Sequence, residues 1–155
     1  MIRPAVPEDV PEIVGMIRDL AEYERALDQV EVTPEQLHER LFGADPAVFC
    51  HVAVHGTELA GFALWFLNFS TWQGRHGIYL EDLYVHPRFR GHGYGKALMQ
   101  ELARICVARG YGRFEWSVID FNESAMGFYR SLGAAPLKEW ERWRLDGEAL
   151  KRLGA

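Results

Sequence analysis

The run Arg90-Gly91-His92-Gly93-Tyr94-Gly95-Lys96 carries the plainest chemistry in the chain. It follows an apolar, β-favouring stretch from Ile78 to Val85, which Pro87 must end because proline supplies no ladder N–H. It precedes a helical pattern with Leu98, Leu102 and Ile105 on one face. Strand, glycine-rich turn and helix N-terminus together make an anion site. The first helical N–H groups have no intrahelical partner, and the helix dipole favours negative charge there. Glycines let the backbone approach a phosphate with no Cβ in the way. Two nucleotide motifs are excluded. A P-loop needs glycine where Arg90 stands and Ser or Thr where Ala97 stands, and a dinucleotide fingerprint starting at Gly91 meets Lys96 in place of its third glycine.

Glu81 and Asp82 are two acids inside the same apolar strand. Successive strand residues point to opposite faces, so the two are expected to serve different sites. A carboxylate in a strand covered on both faces needs a partner, and Glu81 is read as a substrate contact. The histidines do not make a metal site. His51 and His55 share one face of a strand but lack a third ligand, and His86 and His92 flank the glycine turn, where they could add positive charge at low pH.

The elements that position these residues can be read in order. Met1 to Arg3 reads as a short strand stopped by Pro4. Pro7-Glu8-Asp9 opens a helix with an apolar stripe of Val10, Ile13, Val14, Ile17, Leu20 and Ala21, ending at Tyr23-Glu24-Arg25. Thr33-Pro34-Glu35-Gln36 is a capping box for a second helix carrying Leu37, Leu41 and Phe42. Strands are predicted over 48–54, 59–67 and 78–85, with a loop at 68–75. A helix from Gly93 to about Arg109, a strand over 114–119, a short helix after Asn122, a last strand over 137–145 and a terminal helix capped by Asp146 complete the chain. The result is a mixed α/β (α+β) domain spanning 1–155, antiparallel strands first and a β-α-β crossover later. Length suits one domain, and the 48% hydrophobic and 25% charged content is ordinary for a globular protein. The net charge of −5 argues against a nucleic-acid partner and mildly for a cationic one. Cys50 and Cys106 read as buried thiols of a reducing compartment, no stretch is long enough to span a membrane, and no signal peptide is read; the expected location is cytoplasmic.

Arg-x-x-Gly-x-Gly, Arg90 to Gly95, resembles the pyrophosphate-binding signature of the GNAT superfamily, the acyl-CoA-dependent N-acetyltransferases. The element order resembles that fold over essentially the whole chain: a central mixed, mostly antiparallel sheet, flanked by helices and splayed at the acetyl-CoA site. The run Asn122-Glu123-Ser124-Ala125-Met126-Gly127-Phe128-Tyr129 with Gly133 resembles the family's N-x-x-A-x-x-[FL]-Y-x-x-x-G segment, in which the tyrosine hydroxyl lies beside the thioester sulfur. The resemblance implies acetyl-CoA as co-substrate; the histidine spacing adds no metal to it. It implies that Leu83, Tyr84 and Val85 pair with the pantetheine amides as an added strand would. It implies that Arg90, Gly91, His92, Gly93, Tyr94, Gly95 and Lys96 hold the pyrophosphate, that Asn122, Ser124 and Ala125 lie along the cofactor, and that Tyr129 is the general acid. A primary amine with a reference pKa of about 10.4 must also lose a proton, a task for a carboxylate such as Glu81 or a water chain.

Tyr79-Leu80-Glu81-Asp82-Leu83-Tyr84-Val85, Leu20-Ala21-Glu22-Tyr23-Glu24 and Trp143-Arg144-Leu145 narrow the resemblance to the spermidine/spermine and thialysine N-acetyltransferase branch. In that branch the positions of Tyr23, Glu24, Glu81 and Glu141 surround the amine, and the enzymes are homodimers. Asp82 and Trp72 join the expected substrate contacts, Trp72 as an aromatic suited to a cationic chain. Ser124 stands where the branch commonly has proline. The implied acceptor is a diamine or polyamine; lysine or thialysine is the alternative, and a non-catalytic acyl-CoA sensor is the reading from another class.

Overall fold

Proline, glycine and one capping box set the punctuation of the chain in space. The computed structural model describes residues 1–155, which divide into two compact units, Met1–Ser117 and Val118–Ala155. In the first unit, β1 (Ile2–Pro4), α1 (Val10–Tyr23), α2 (Pro34–Phe42), β2 (Phe49–His55), β3 (Glu58–Ser70), β4 (Arg75–Val85), α3 (Tyr94–Arg109) and β5 (Phe114–Trp116) follow in order. The five strands form one sheet in sequence order, antiparallel except for the parallel β4–β5 pair. The capping box at α2 forms as read. Thr33 Oγ1 accepts from the Gln36 N–H at 3.1 Å, and Gln36 Oε1 accepts from the Thr33 N–H at 3.0 Å.

Alternation along the strands sorts the core. Cys50 and Val52 of β2, Phe62 and Leu64 of β3 and Tyr84 of β4 pack with Val10, Ile13, Val14 and Met16 of α1 and with Leu37 and Leu41 of α2. The other face, with Ala53, Ile78 and Leu80, is covered by α3, whose Leu98 and Leu102 are fully buried. α1 ends in a Schellman motif. The Arg25 N–H reaches the Glu22 carbonyl at 3.0 Å and the Ala26 N–H reaches that of Ala21 at 2.8 Å. The left-handed position falls on Arg25, with φ of 61°, where glycine is usual.

Three expectations are corrected. The segment 68–75 is half strand: Asn68, Phe69 and Ser70 pair with Gly77, His76 and Arg75, and a tight turn at 71–74 is left, with Gly74 at φ 67°. Its polar residues sit on a ladder whose pairing, not local propensity, decides the conformation. β5 stops at Trp116 rather than continuing to Ile119.

The second unit contains α4 (Glu123–Ser131) and α5 (Gly147–Leu153). The strand expected over 137–145 is absent. A strand needs a neighbour for its N–H and C=O groups, and this unit contains no other strand. Leu137, Trp140, Trp143 and Leu145 are all exposed there.

Candidate active site

At the end of β4, Pro87–Phe89 makes one 3₁₀ turn and the chain enters the glycine run. Gly91 and Gly93 have φ of 86° and 80°, and nothing lies within 4 Å of where their Cβ atoms would be. Glycine is therefore required by backbone conformation, and the space above the loop stays open. The N–H of Ala97 is bonded to the Gly93 carbonyl at 2.9 Å, so Tyr94, Gly95 and Lys96 present the outward N–H groups of the first turn of α3. Lys96 and Arg90 are exposed beside them. Arg90 is oriented by its Nε, which donates to the Val85 carbonyl at 3.1 Å, and its guanidinium lies 5.9 Å from the Tyr84 ring. Open glycine backbone, a 16-residue helix at its N-terminus and two cations suit a pyrophosphate.

The sheet opens beside this loop. Pairing between β4 and β5 covers only Ile78, Tyr79 and Leu80, while β4 continues to Val85. Glu81 to Val85 thus keep a backbone edge with no strand partner on that side, the edge that an extended amide chain could join.

A β-bulge sets which way the acids face. Leu80 pairs with Trp65 and Asp82 pairs with Leu64, so Glu81 is the extra residue. Directly opposed residues share a face, and Trp65 and Leu64 are neighbours on opposite faces. Asp82 is therefore turned away from the face of Leu80 and toward that of Leu64, Tyr84 and α1, while Leu83 goes with Ala63 to the other face. Simple alternation would have put Asp82 beneath α3.

Asp82 is half-buried, and its carboxyl is pushed up to about 7 by burial, with the charges of Glu81 and Glu24 adding to the effect. Burial also raises the Glu24 carboxyl at the end of α1. The same negative field reaches Cys50, whose thiol is pushed up to about 12 by burial, Asp9 and Asp82. Glu24, Glu81 and Asp82 thus share one negative field, so the two acids of β4 do not serve separate sites as expected, and Glu81 is exposed. Tyr23, exposed, precedes Glu24 on the last turn of α1. Trp72 is elsewhere: it is 88% exposed at the tip of the β3–β4 hairpin. Six strand steps separate Arg75 from Glu81, roughly 20 Å. Sequence spacing does not show this, because the pairing of Asn68, Phe69 and Ser70 with Gly77, His76 and Arg75 is settled between two strands.

In the second unit Asn122 caps α4, its Oδ1 accepting from the Ala125 N–H at 3.1 Å. Ser124 and Ala125 occupy the first turn, and Tyr129 lies on α4 half-buried with its ring 5.4 Å from that of Phe128. Glu141 is exposed in the irregular segment before α5. Two features escaped the sequence: the bulge at Glu81, and the ties that hold the glycine loop to the β2–β3 turn. Two consecutive acids in an apolar strand were the only signal of the first.

The acetyltransferase (GNAT) family model matches residues 11–134. The thialysine N-epsilon-acetyltransferase of Sus scrofa is 39% identical, over 99% of this chain and 96% of its own. The human spermidine/spermine N(1)-acetyltransferase-like protein 1 is 32% identical over 93% of this chain, which corresponds to 22% of that larger protein. Among solved structures, the integron cassette protein VCH_CASS6 from V. cholerae superposes with a TM-score of 0.83 at 27% identity, covering 99% of this chain and 96% of its own. Loop, open strand edge and these likenesses agree: the chain belongs to the GNAT family, as an acetyl-CoA-dependent N-acetyltransferase of the spermidine/spermine and thialysine type.

Proposed function

We propose that the chain acts as one catalytic domain that acetylates the primary amine of a small cationic acceptor by direct transfer. The observation that carries this is the half-buried Asp82 with Glu24 and Glu81 around it. Such a cluster attracts a cation, and a carboxyl titrating near neutrality can take the amine's proton. Acetyl-CoA supplies the acyl group as a thioester. The backbone of Leu83, Tyr84 and Val85 holds the pantetheine amides, and an N–H of Leu83 or Val85 polarises the thioester carbonyl. Gly91, Gly93 and Gly95, with Arg90, His92, Tyr94 and Lys96, hold the pyrophosphate. Asn122, Ser124 and Ala125 lie along the cofactor, and Tyr129 returns a proton to the departing thiolate; the family match, which extends past Tyr129, supports this. Glu81 remains in the proton path as the acid nearest Asp82 in sequence, and Tyr23, Glu24 and Glu141 contact the amine. Two free, buried thiols suit the cytoplasm.

We read the active form as a homodimer. Trp72 lies in the turn beyond Arg75, itself roughly 20 Å from Glu81 along β4, and a second subunit could bring this aromatic to the acidic cluster. The exposed run from Leu137 to Leu145 offers apolar surface for the pairing.

The acceptor is a diamine or polyamine in the first reading. The second reading, an amino acid such as thialysine, is favoured by the Sus scrofa relative's name and by Arg25, which follows Glu24 directly and could receive a carboxylate. Spermidine, a simple diamine, thialysine, lysine and ornithine should be compared with acetyl-CoA, following free thiol. At least one is expected to turn over with kcat/KM well above that of a neutral amine. Turnover of amino acids alone would select the second reading, and turnover of neutral amines alone would remove the cationic-acceptor assignment.

A further inference from the structure

We propose that His55, at the end of β2, is a positioning residue for cofactor binding: through its hydrogen bond to Tyr94 it braces the glycine loop in the conformation that receives the pyrophosphate. The inference rests on the reading of that loop as the pyrophosphate site.

The loop needs a brace. With two glycines at positive φ it has many alternative conformations, and ordering them on binding would cost affinity. Several of its hydrogen bonds are local: Phe89 N–H to the His86 carbonyl at 2.9 Å, Arg90 N–H to that of Pro87 at 3.2 Å, and His92 Nδ1 to the Phe89 carbonyl at 3.0 Å. Local bonds shape a turn but do not fix it against the sheet.

Three ties do that, and all come from the end of the β2–β3 hairpin, His55 to Ala60. At the loop's start the His86 N–H donates to the Ala60 carbonyl at 2.8 Å. In its middle Arg88 pairs with Glu58 at 2.9 Å, an exposed ion pair of small worth. At its end His55 Nδ1 lies 2.7 Å from the Tyr94 hydroxyl. Tyr94 is the first residue of α3, directly after Gly93, so this bond fixes the helix end that presents the N–H groups. His55 also packs against the loop's other rings, with centroids 4.8 Å from buried Phe89 and 5.3 Å from His92, while His92 stacks on Tyr94 at 5.9 Å. A phenol can donate or accept, so the bond survives in either imidazole tautomer.

A double-mutant cycle tests this. His55→Phe and Tyr94→Phe should each raise the KM for acetyl-CoA roughly 3- to 10-fold, the worth of one half-buried hydrogen bond. The double variant should be no worse than either single one. His55→Asn, which keeps a polar group near the Nδ1 position, should recover most of the loss. In His55→Phe, kcat/KM for S-acetylpantetheine, which lacks the pyrophosphate, should stay within about twofold, an outcome that a general distortion of the fold would not give. Unchanged acetyl-CoA KM in both single variants, fully additive losses, or an equal loss with S-acetylpantetheine would each overturn the proposal. Lys96→Ala separates the two levels. If it too leaves acetyl-CoA KM unchanged, the pyrophosphate reading fails; if it weakens binding while Tyr94→Phe does not, only the brace fails. Should His55→Phe not fold, Tyr94→Phe, which removes a single oxygen, carries the test.

Discussion

Asp82 owes its proton affinity to three neighbours of different kinds: the apolar surroundings that bury it, Glu81 and Glu24. Each disfavours the anion, and a bound cation would reverse the effect. A base must be unprotonated to act, so kcat/KM, after allowance for the amine's own ionisation, should rise with pH through an apparent pKa of about 7. In Asp82→Asn that limb should vanish and kcat/KM should fall by roughly 10²-fold, the lower end for a general base. Glu81→Gln removes one of the charges holding the value up, so the limb should move to lower pH. Tyr129→Phe should leave the limb in place and lower kcat by a similar factor, provided chemistry limits turnover. A limb that persists unchanged in Asp82→Asn would transfer the role of base to Glu81 or a water chain.

Strands β3 and β4 show why an open strand edge needs more than apolar residues. Gly61 pairs with Val85, and a Cβ on it would run into the Tyr84 carbonyl oxygen and come within 3.0 Å of Val85 Cγ2. Neither strand can move away without disturbing the edge from Leu83 to Val85. Gly61→Ala should therefore destabilise the fold by about 1–3 kcal/mol, measured by urea unfolding, and also weaken acetyl-CoA binding. Lost stability with unchanged binding would show that the edge tolerates the shift. The same two strands carry the bulge at Glu81, and with it the direction of Asp82. The capping box of α2 was legible to the atom, because Thr33 and Gln36 need only their own helix. The bulge was not, because a bulge is a mismatch between two strands and each strand alone looks regular.

For the whole molecule, stability and chemistry pull Asp82 in opposite directions. Its folded pKa lies above the unfolded value, so the folded state binds the extra proton, and stability falls as pH rises from about 4 to about 7. Asp82→Asn should unfold at higher temperature than the parent at pH 8, by roughly 2 kcal/mol of added stability, with the difference closing near pH 4. His51 works with the opposite sign. It is buried, its Nδ1 accepts from Trp65 Nε1 at 3.1 Å, and its pKa is lowered by burial, with Arg104 and Arg109 lowering it further against the opposing charge of Glu101. Its contribution is present above the unfolded value of about 6.5 and is lost as pH falls through the folded one. Asp9 adds a second acid-labile contact. Burial opposes its charge, but the Arg3 guanidinium at 2.7 Å and the Val6 N–H at 2.9 Å outweigh this and lower its pKa. Melting curves of Asp82→Asn and of the parent at pH 5, 6.5 and 8 would check both signs; equal curves at pH 8 would mean that Asp82 is ionised in the fold without cost.

The sequence by itself determined the family, the glycine turn between β4 and α3, the side-chain-bonded N-cap at Thr33, and the boundaries of α1, α2 and α3. Each of these depends on interactions within a few residues: a capping hydroxyl, a glycine that must take positive φ, a proline that ends a ladder. What only the tertiary structure decided depends on pairing between distant segments. Asn68, Phe69 and Ser70 are strand because Gly77, His76 and Arg75 lie opposite them. Trp72 is carried to a hairpin tip for the same reason, and Leu137 to Leu145 is no strand because the unit that holds it contains no other. Asp82 faces α1 rather than α3 because one residue of β4 has no counterpart on β3. A period of two cannot survive an inserted residue, and which strand carries the insertion is set by the pair, not by either sequence.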